Sequence, residues 1–134
     1  MDQEPSAGTP IRVLIADDHL MFAEALTTLL ERNERIEVVG SATTGADAID
    51  QTLMREVDVV VMDVGMPGID GFETTRRLRT IAPATRVIVL TGLTDSGLEQ
   101  RAADAGASAL LTKGAADREV VDAILAVYDE RLNI

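Results

Sequence analysis

Residues 57–80 read VDVVVMDVGMPGIDGFETTRRLRT. The first seven, VDVVVMD, form an apolar run rich in β-branched residues, the pattern of a strand buried on both faces. Pro67-Gly68 marks a turn. A helix with weak periodicity is expected from Gly71 to Thr80. The same strand-then-helix order recurs on either side. IRVLIA (11–16) precedes HLMFAEALTTLLER (19–32), where Phe22, Leu26, Leu29 and Leu30 stand at helical spacing and Asp18 stands where an N-cap would. IEVVGSA (36–42) precedes a helix from Thr44 to Glu56 with Ala48, Ile49 and Leu53 expected inward. RVIVLT (86–91) precedes a helix from about Asp95 to Ala105. SALLT (108–112) precedes the last helix, Asp117 to Leu132, with Val121, Ile124, Leu125, Tyr128 and Leu132 on one face.

Five β-α units in succession imply a parallel sheet with helices on both sides. Residues 1–10 contain Pro, Gly and Ser without periodicity and are expected to be a disordered tail, leaving 11–134 as one domain.

Composition narrows the function. Apolar residues make up 46% of the 134 and aromatics only 2%, so Val, Leu, Ile and Ala must build the core. There is no cysteine, hence no disulfide and no thiolate chemistry, which is compatible with a reducing cytoplasm. The start, MDQEPSAGTP, has neither the basic nor the apolar region of a signal peptide. No apolar run reaches the ~20 residues of a membrane-spanning helix. The net charge of −11 is the reverse of what a phosphate-backbone binder needs, so direct nucleic-acid binding by this domain is not expected. The acidity is either a solubility device or, in part, a cluster that holds a cation.

In open parallel sheets, sites form beyond the carboxyl ends of the strands. Asp17 and Asp18 follow the first strand, Asp63 ends the third, Thr91 and Gly92 follow the fourth, and Lys113 follows the fifth. Each has an ordinary reading: a helix cap, a turn residue, a strand former, a solvated amine. Together they bring three acids, a hydroxyl and an amine to one edge. Clustered carboxylates repel unless a counter-charge joins them. A hard divalent cation such as Mg²⁺ answers that need, and with a lysine and a hydroxyl it makes a receptor for a phosphoryl group. One of the aspartates can then be the nucleophile.

At these residues the chain resembles the receiver domains of two-component response regulators. Asp17-Asp18, MDVGMPGIDG around Asp63, VLTG around Thr91 and AGASALLTK ending in Lys113 carry the likeness, which runs from about Ile11 to Leu132. The triplet Asp17-Asp18-His19 is most similar to the NarL/FixJ-type subfamily. The resemblance implies a flavodoxin-like (βα)5 three-layer sandwich with strand order 2-1-3-4-5. It implies Asp63 as the phosphoacceptor, with Mg²⁺ bound by Asp18 and Asp63, by Asp17 mainly through water, and by the backbone carbonyl of Gly65. Thr91 would bond the phosphoryl group and Lys113 would pair with it. The donor would be a phosphohistidine on a sensor histidine kinase. Such a domain is not an enzyme beyond its own phosphoryl transfer and autodephosphorylation. It would act in the cytoplasm, away from membranes, and reach DNA only through a helix-turn-helix output domain absent from this sequence. A homodimer would form through the first and last helices or through the fourth-strand side.

Four positions depart from the commonest family pattern. Gly65 lacks the side chain usual there, which alters water access to a phosphoryl group. Leu110 replaces an aromatic residue whose packing follows the Thr91-equivalent hydroxyl. Leu93 is apolar at another position that tunes phosphate lifetime. Gly114 stands where many relatives have proline with a cis bond, which leaves the isomer of the Lys113-Gly114 bond open, with a lean to trans. His19, the only histidine, reads as a helix-start residue near the acidic pocket rather than a ligand or relay. Met21, Met62 and Met66 read as packing.

The helix from Asp95 to Ala105 offers Leu98 and several alanines but little bulk. It is either a moving element or a tightly slotted alanine helix. Three rival functions are weaker. A haloacid-dehalogenase-type phosphatase needs a second Asp two residues after the nucleophile, where this chain has Gly65. The glycines of Gly92–Gly97 have P-loop spacing, but Leu98-Glu99 follows in place of Lys-Ser/Thr. A phosphorylation-independent interaction module would keep the fold and leave the acids unused.

Overall fold

The computed structural model describes residues 9–92, 97–115 and 117–132, with backbone alone for Arg131 and Leu132. The elements run β1 (Ile11–Ala16), α1 (Leu20–Leu30), β2 (Ile36–Ala42), α2 (Gly45–Arg55), β3 (Val59–Asp63), α3 (Gly71–Ile81), β4 (Arg86–Thr91), α4 (Leu98–Ala105), β5 (Ala109–Thr112) and α5 (Asp117–Leu132). Expectations for most of the 1–10 tail, for Leu93, for a helix start at Asp95 and for the Leu132 side chain fall outside the described residues.

All strand pairs are parallel, in the order β2-β1-β3-β4-β5. This is the expected flavodoxin-like arrangement. The chain winds outward from β1 in both directions, so the ends of β1 and β3 meet at the switch point where a crevice opens. Alternate residues of each central strand face opposite helical layers. Leu14, Val60, Met62, Val87 and Val89 pack with Ala48 of α2, Leu78 of α3 and Leu98 and Ala102 of α4. Val13, Ile15, Val59, Val61, Ile88 and Leu90 pack with Leu26 and Leu30 of α1 and Ile124 of α5. Both layers are needed to cover β1, β3 and β4, which is why those strands read as unbroken apolar runs. Each Ile or Leu so buried contributes about 1.5–3 kcal/mol.

At the amino ends of the strands, Arg12 ties the sheet to α2. Its guanidinium donates to the carbonyls of Arg55 (2.7 Å from Nη2) and Glu56 (3.2 Å from Nε), which end that helix. Its backbone N–H donates to Asp58 Oδ2 at 2.9 Å, and Asp58 N–H donates back to the Arg12 carbonyl at 2.8 Å.

The helices differ from the sequence reading at several places. Leu53 is 56% exposed rather than inward. At 100° per residue it lies about 140° round the helix from buried Ala48. The inward place belongs to Thr52, whose hydroxyl donates to the Ala48 carbonyl at 2.7 Å. In α5 the buried face is Val120, Ile124 and Val127, while Val121, Leu125 and Tyr128 are half-buried on its flank. Met62 and Met66 are packed, but Met21 is 84% exposed because it lies about 160° from buried Ala23. The weak periodicity of α3 has a cause: Thr74 and Thr75 fill inward positions, their hydroxyls donating to the carbonyls of Asp70 (2.8 Å) and Gly71 (2.7 Å). Caps are supplied by Thr44, which accepts from Asp47 N–H at 3.1 Å, and by Asp70, which accepts from Glu73 N–H at 2.8 Å. Asp18 does not cap α1; His19 holds that position without a side-chain cap bond.

Candidate functional site

The parallel ladders align the strand ends. Ala16 stands opposite Met62, Asp63 opposite Leu90, and Thr91 opposite Thr112. Backbone bonds carry this alignment one residue past the strands. Asp17 N–H donates to the Ala42 carbonyl at 2.9 Å, and Lys113 N–H donates to the Thr91 carbonyl at 2.7 Å. The residues expected to form a site therefore meet at one edge because of register, not through long loops.

Asp63 is nearly fully buried, as are Asp17 and Thr91. The Lys113 amine lies 2.8 Å from Asp17 Oδ2 and 3.6 Å from Asp63 Oδ1. Its position is also set by the Phe22 ring, whose centre is 4.7 Å from Nζ. Among the described residues, the other Asp63 oxygen, Oδ2, is buried without a hydrogen-bond partner. Leaving a charged acceptor unsatisfied costs more than the ~1–3 kcal/mol of a neutral group, and an orphan of this kind calls for an explanation. Burial holds the Asp63 carboxyl above its ordinary pKa, and the Asp17 carboxylate pushes the same way, with a smaller push from Asp18. Lys113 and the Gly65 N–H pull it down without reversing the direction.

One carboxylate oxygen each from Asp17, Asp18 and Asp63, with one nitrogen of His19, lie within 4.8 Å of one another. His19 is thus within the cluster itself, where the sequence reads it as a helix-start residue near the acidic pocket. Both descriptions hold: its N–H donates to Asp17 Oδ1 at 2.8 Å as α1 begins, and its ring Nδ1 turns back to within 3.0 Å of the same oxygen. Above these groups is an open cleft of about 520 Å³ lined by His19, Phe22, Asp63, Gly65, Thr91 and Lys113, among others. A second groove of about 430 Å³, between α1 and α5, shares Phe22 and Lys113 as its wall and holds none of the aspartates of the cluster. Phe22 is the lining residue that sequence reasoning missed; its helical spacing marks it as core and nothing more.

Two glycines shape the edge. Gly71, first residue of α3, has no space for a side chain, because the Asp63 carbonyl and the Val64 Cα occupy the place of its Cβ. Gly65 is the opposite. Among the described residues, a Cβ there would meet only Asp63 Oδ2, at 3.8 Å, so none of them covers that flank of Asp63. Leu110 is half-buried against the layer of α2, α3 and α4. The Lys113-Gly114 bond is trans.

Comparison with known proteins agrees with the geometry. The family model described as response regulator receiver domain matches residues 13–125. The response regulator UvrY of Escherichia coli K12 is 42% identical over 118 residues, covering 88% of this chain and 54% of UvrY. The chain thus spans about half the length of the curated relatives it matches. Among solved structures, a two-component response regulator of the LuxR family from Aurantimonas sp. SI85-9A1 superposes with a TM-score of 0.87 at 33% identity, over 92% of this chain and 88% of that one. The signal receiver domain of NarL from Mycobacterium tuberculosis superposes with a TM-score of 0.86 at 30% identity, over 90% and 98%.

Proposed function

The chain belongs to the response regulator receiver domain family, and from that premise we propose that Asp63 is its phosphoacceptor, taking a phosphoryl group from the phosphohistidine of a sensor histidine kinase. The observation that carries this reading is the buried Oδ2 of Asp63, unpartnered among the described residues, on a residue that lines the open cleft. A desolvated carboxylate oxygen with no competing hydrogen bond is a ready nucleophile. As its bond to phosphorus forms, the phosphorus–nitrogen bond of the donor breaks. The Lys113 amine is close enough to follow the charge that passes to the phosphoryl oxygens. The Thr91 hydroxyl, fixed at the end of β4, is the second donor to them.

Three carboxylates beside one ammonium leave a net charge of about −2, which suits a divalent cation with oxygen ligands. Asp17, Asp18 and Asp63 would hold Mg²⁺ with the Gly65 carbonyl. When bound, it supplies charge neutralisation for the transferring group. The reaction is stoichiometric, and the label is lost by autodephosphorylation. A phosphatase of the haloacid-dehalogenase type is disfavoured, since Gly65 offers no proton donor in the required place.

Relatives about twice as long support a DNA-binding output domain as the recipient of the signal. Among the described residues, no helix is long and apolar enough to cross a membrane, which agrees with a cytoplasmic role. A homodimer, through α1 and α5 or through the β4 side, is the simplest assembly for such a regulator.

The test is incubation with Mg²⁺ and acetyl phosphate, followed by intact mass and size exclusion. The wild type is expected to gain one phosphoryl group and Asp63→Asn none. Sustained turnover of p-nitrophenyl phosphate would overturn the reading in favour of a phosphatase.

A further inference from the structure

Part of the apolar surface that this acidic chain leaves exposed is grouped along one groove. The helices α2 and α3 touch where they begin. Gly45 has no room for a side chain, because Thr74 Oγ1 and Ile69 Cγ1 fill the place of its Cβ. One turn further along, the same helices leave an open groove of about 470 Å³ between them, lined by Ile49, Arg76, Arg77, Thr80 and Ile81. Leu53 stands one turn beyond Ile49 on the same face of α2. It is 56% exposed, and Ile81 is 46% exposed. Exposed leucines scattered singly are ordinary, whereas apolar side chains grouped along a concavity mark a contact surface. The two walls differ in chemistry. The α2 wall is apolar. The α3 wall carries Arg76 and Arg77, which among the described residues share one carboxylate, that of Glu73, at 2.7 Å and 3.0 Å. The lining includes no acid, so the groove is positive in a chain of net charge −11.

We propose that this groove docks an amphipathic helix of a partner protein. Its apolar residues lie against Ile49, Leu53 and Ile81, and an edge of glutamates or aspartates faces Arg76 and Arg77. Helices dock in such grooves by anchors at i, i+3, i+4 and i+7. The unlike walls fix which way the helix is turned, since one side of it must be apolar and the other acidic. The exposed apolar surface continues along α2 past the cavity, to Leu53, as an elongated occupant requires and a compact small molecule does not. A second copy seated face to face would set the arginines of each copy toward those of the other, which opposes that arrangement. The surface is separate from the acidic cleft, and docking there needs nothing from Asp63.

The test uses two capped helical peptides of about 16 residues, long enough to hold a helix. Both carry leucines at i, i+3, i+4 and i+7, and one edge is glutamate in the first and lysine in the second. Binding is followed by fluorescence anisotropy and by the amide resonances of the isotope-labelled protein. The glutamate peptide is expected to move resonances within 49–54 and 76–81 and to bind about tenfold more tightly than the lysine peptide. The overall charge of the chain favours the lysine peptide, so the opposite preference has to come from the groove. Leu53→Ser, an exposed change checked by thermal melts, is expected to weaken the glutamate peptide about tenfold. Arg76→Gln with Arg77→Gln is expected to abolish the preference between the peptides. A preference for lysine, an affinity untouched by Leu53→Ser, or shifts confined to elements other than α2 and α3 would overturn the docking site. Sedimentation velocity and anilinonaphthalene sulfonate cover the other occupants. Self-association abolished by Leu53→Ser would assign the face to a second copy. Shifts of the same resonances by the sulfonate, with neither peptide bound, would assign it to a small molecule. Either result overturns the partner helix.

Discussion

The carbonyl of Asp63 stands where a side chain of Gly71 would have to be. The first turn of α3 is thereby pressed against the backbone of the residue at the centre of the site, and Gly71 N–H donates to the Val64 carbonyl at 3.2 Å. Gly71→Ala is expected to push the two apart. Overpacking of this kind costs about 1–3 kcal/mol, to be read from urea denaturation. It should also reduce labelling by acetyl phosphate at conditions where the variant is fully folded. A variant as stable and as readily labelled as wild type would show that the contact constrains nothing.

Asp63 gives a pH signature of the reverse sign to the usual aspartate. Its carboxyl is held above its ordinary value, chiefly by burial and then by Asp17. Its protonation therefore favours the folded state. That stabilisation is complete below the unfolded pKa and is lost as pH rises through the folded one. At neutral pH the ionised group weakens the fold, so Asp63→Asn is expected to exceed wild type in stability by about 1 kcal/mol or more. The difference should shrink on acidification through the carboxylate range. Thermal melts of both proteins from neutral pH downward, without divalent ions, check this; a constant difference would contradict it.

Gly65 leaves the flank of Asp63 uncovered. A Cβ at position 65 displaces none of the described neighbours, and Gly65→Arg would carry a long side chain toward the opening. We expect a phosphoryl lifetime longer by about tenfold, equivalent to about 1.4 kcal/mol in the hydrolysis barrier. Decay of the phosphorylated species by intact mass measures it. An unchanged lifetime would mean that water does not enter by this flank.

Lys113 is joined to Thr91 through the backbone, and Leu110 pairs with Val89, two residues before Thr91 on the same strands. A phosphoryl mimic bound with Mg²⁺ is expected to shift the amide resonances of residues 109–113 as well as those of Asp63 and Thr91. Shifts confined to 63–65 would show that, with leucine at 110, the signal does not travel along β5.

The strands were legible because both faces are covered. The bounds of β1, β2 and β4 coincide with their apolar runs, and β3 and β5 lose only one or two residues at the start. The site was legible through the same order, since parallel register carries strand-end residues to one edge. What stayed hidden has particular causes. Thr52, Thr74 and Thr75 count as polar in any periodicity, yet each is buried because its hydroxyl bonds the carbonyl four residues back. Leu53 and Met21 count as apolar, yet both face solvent. His19 and Phe22 acquire their places through side-chain direction at the start of α1, which no spacing rule conveys.

The two ends of the sheet divide their tasks. At the amino ends, the Arg12–Asp58 bonds and the guanidinium on α2 leave polar groups well matched. At the carboxyl ends, Asp63 is left mismatched. Robustness and the proposed reactivity therefore sit at opposite ends of the same strands. A selection for heat resistance alone, applied to this chain, would have its easiest gains at Asp63 and would erase the chemistry as it improved the fold. Hardening that preserves function has to be sought at the other end.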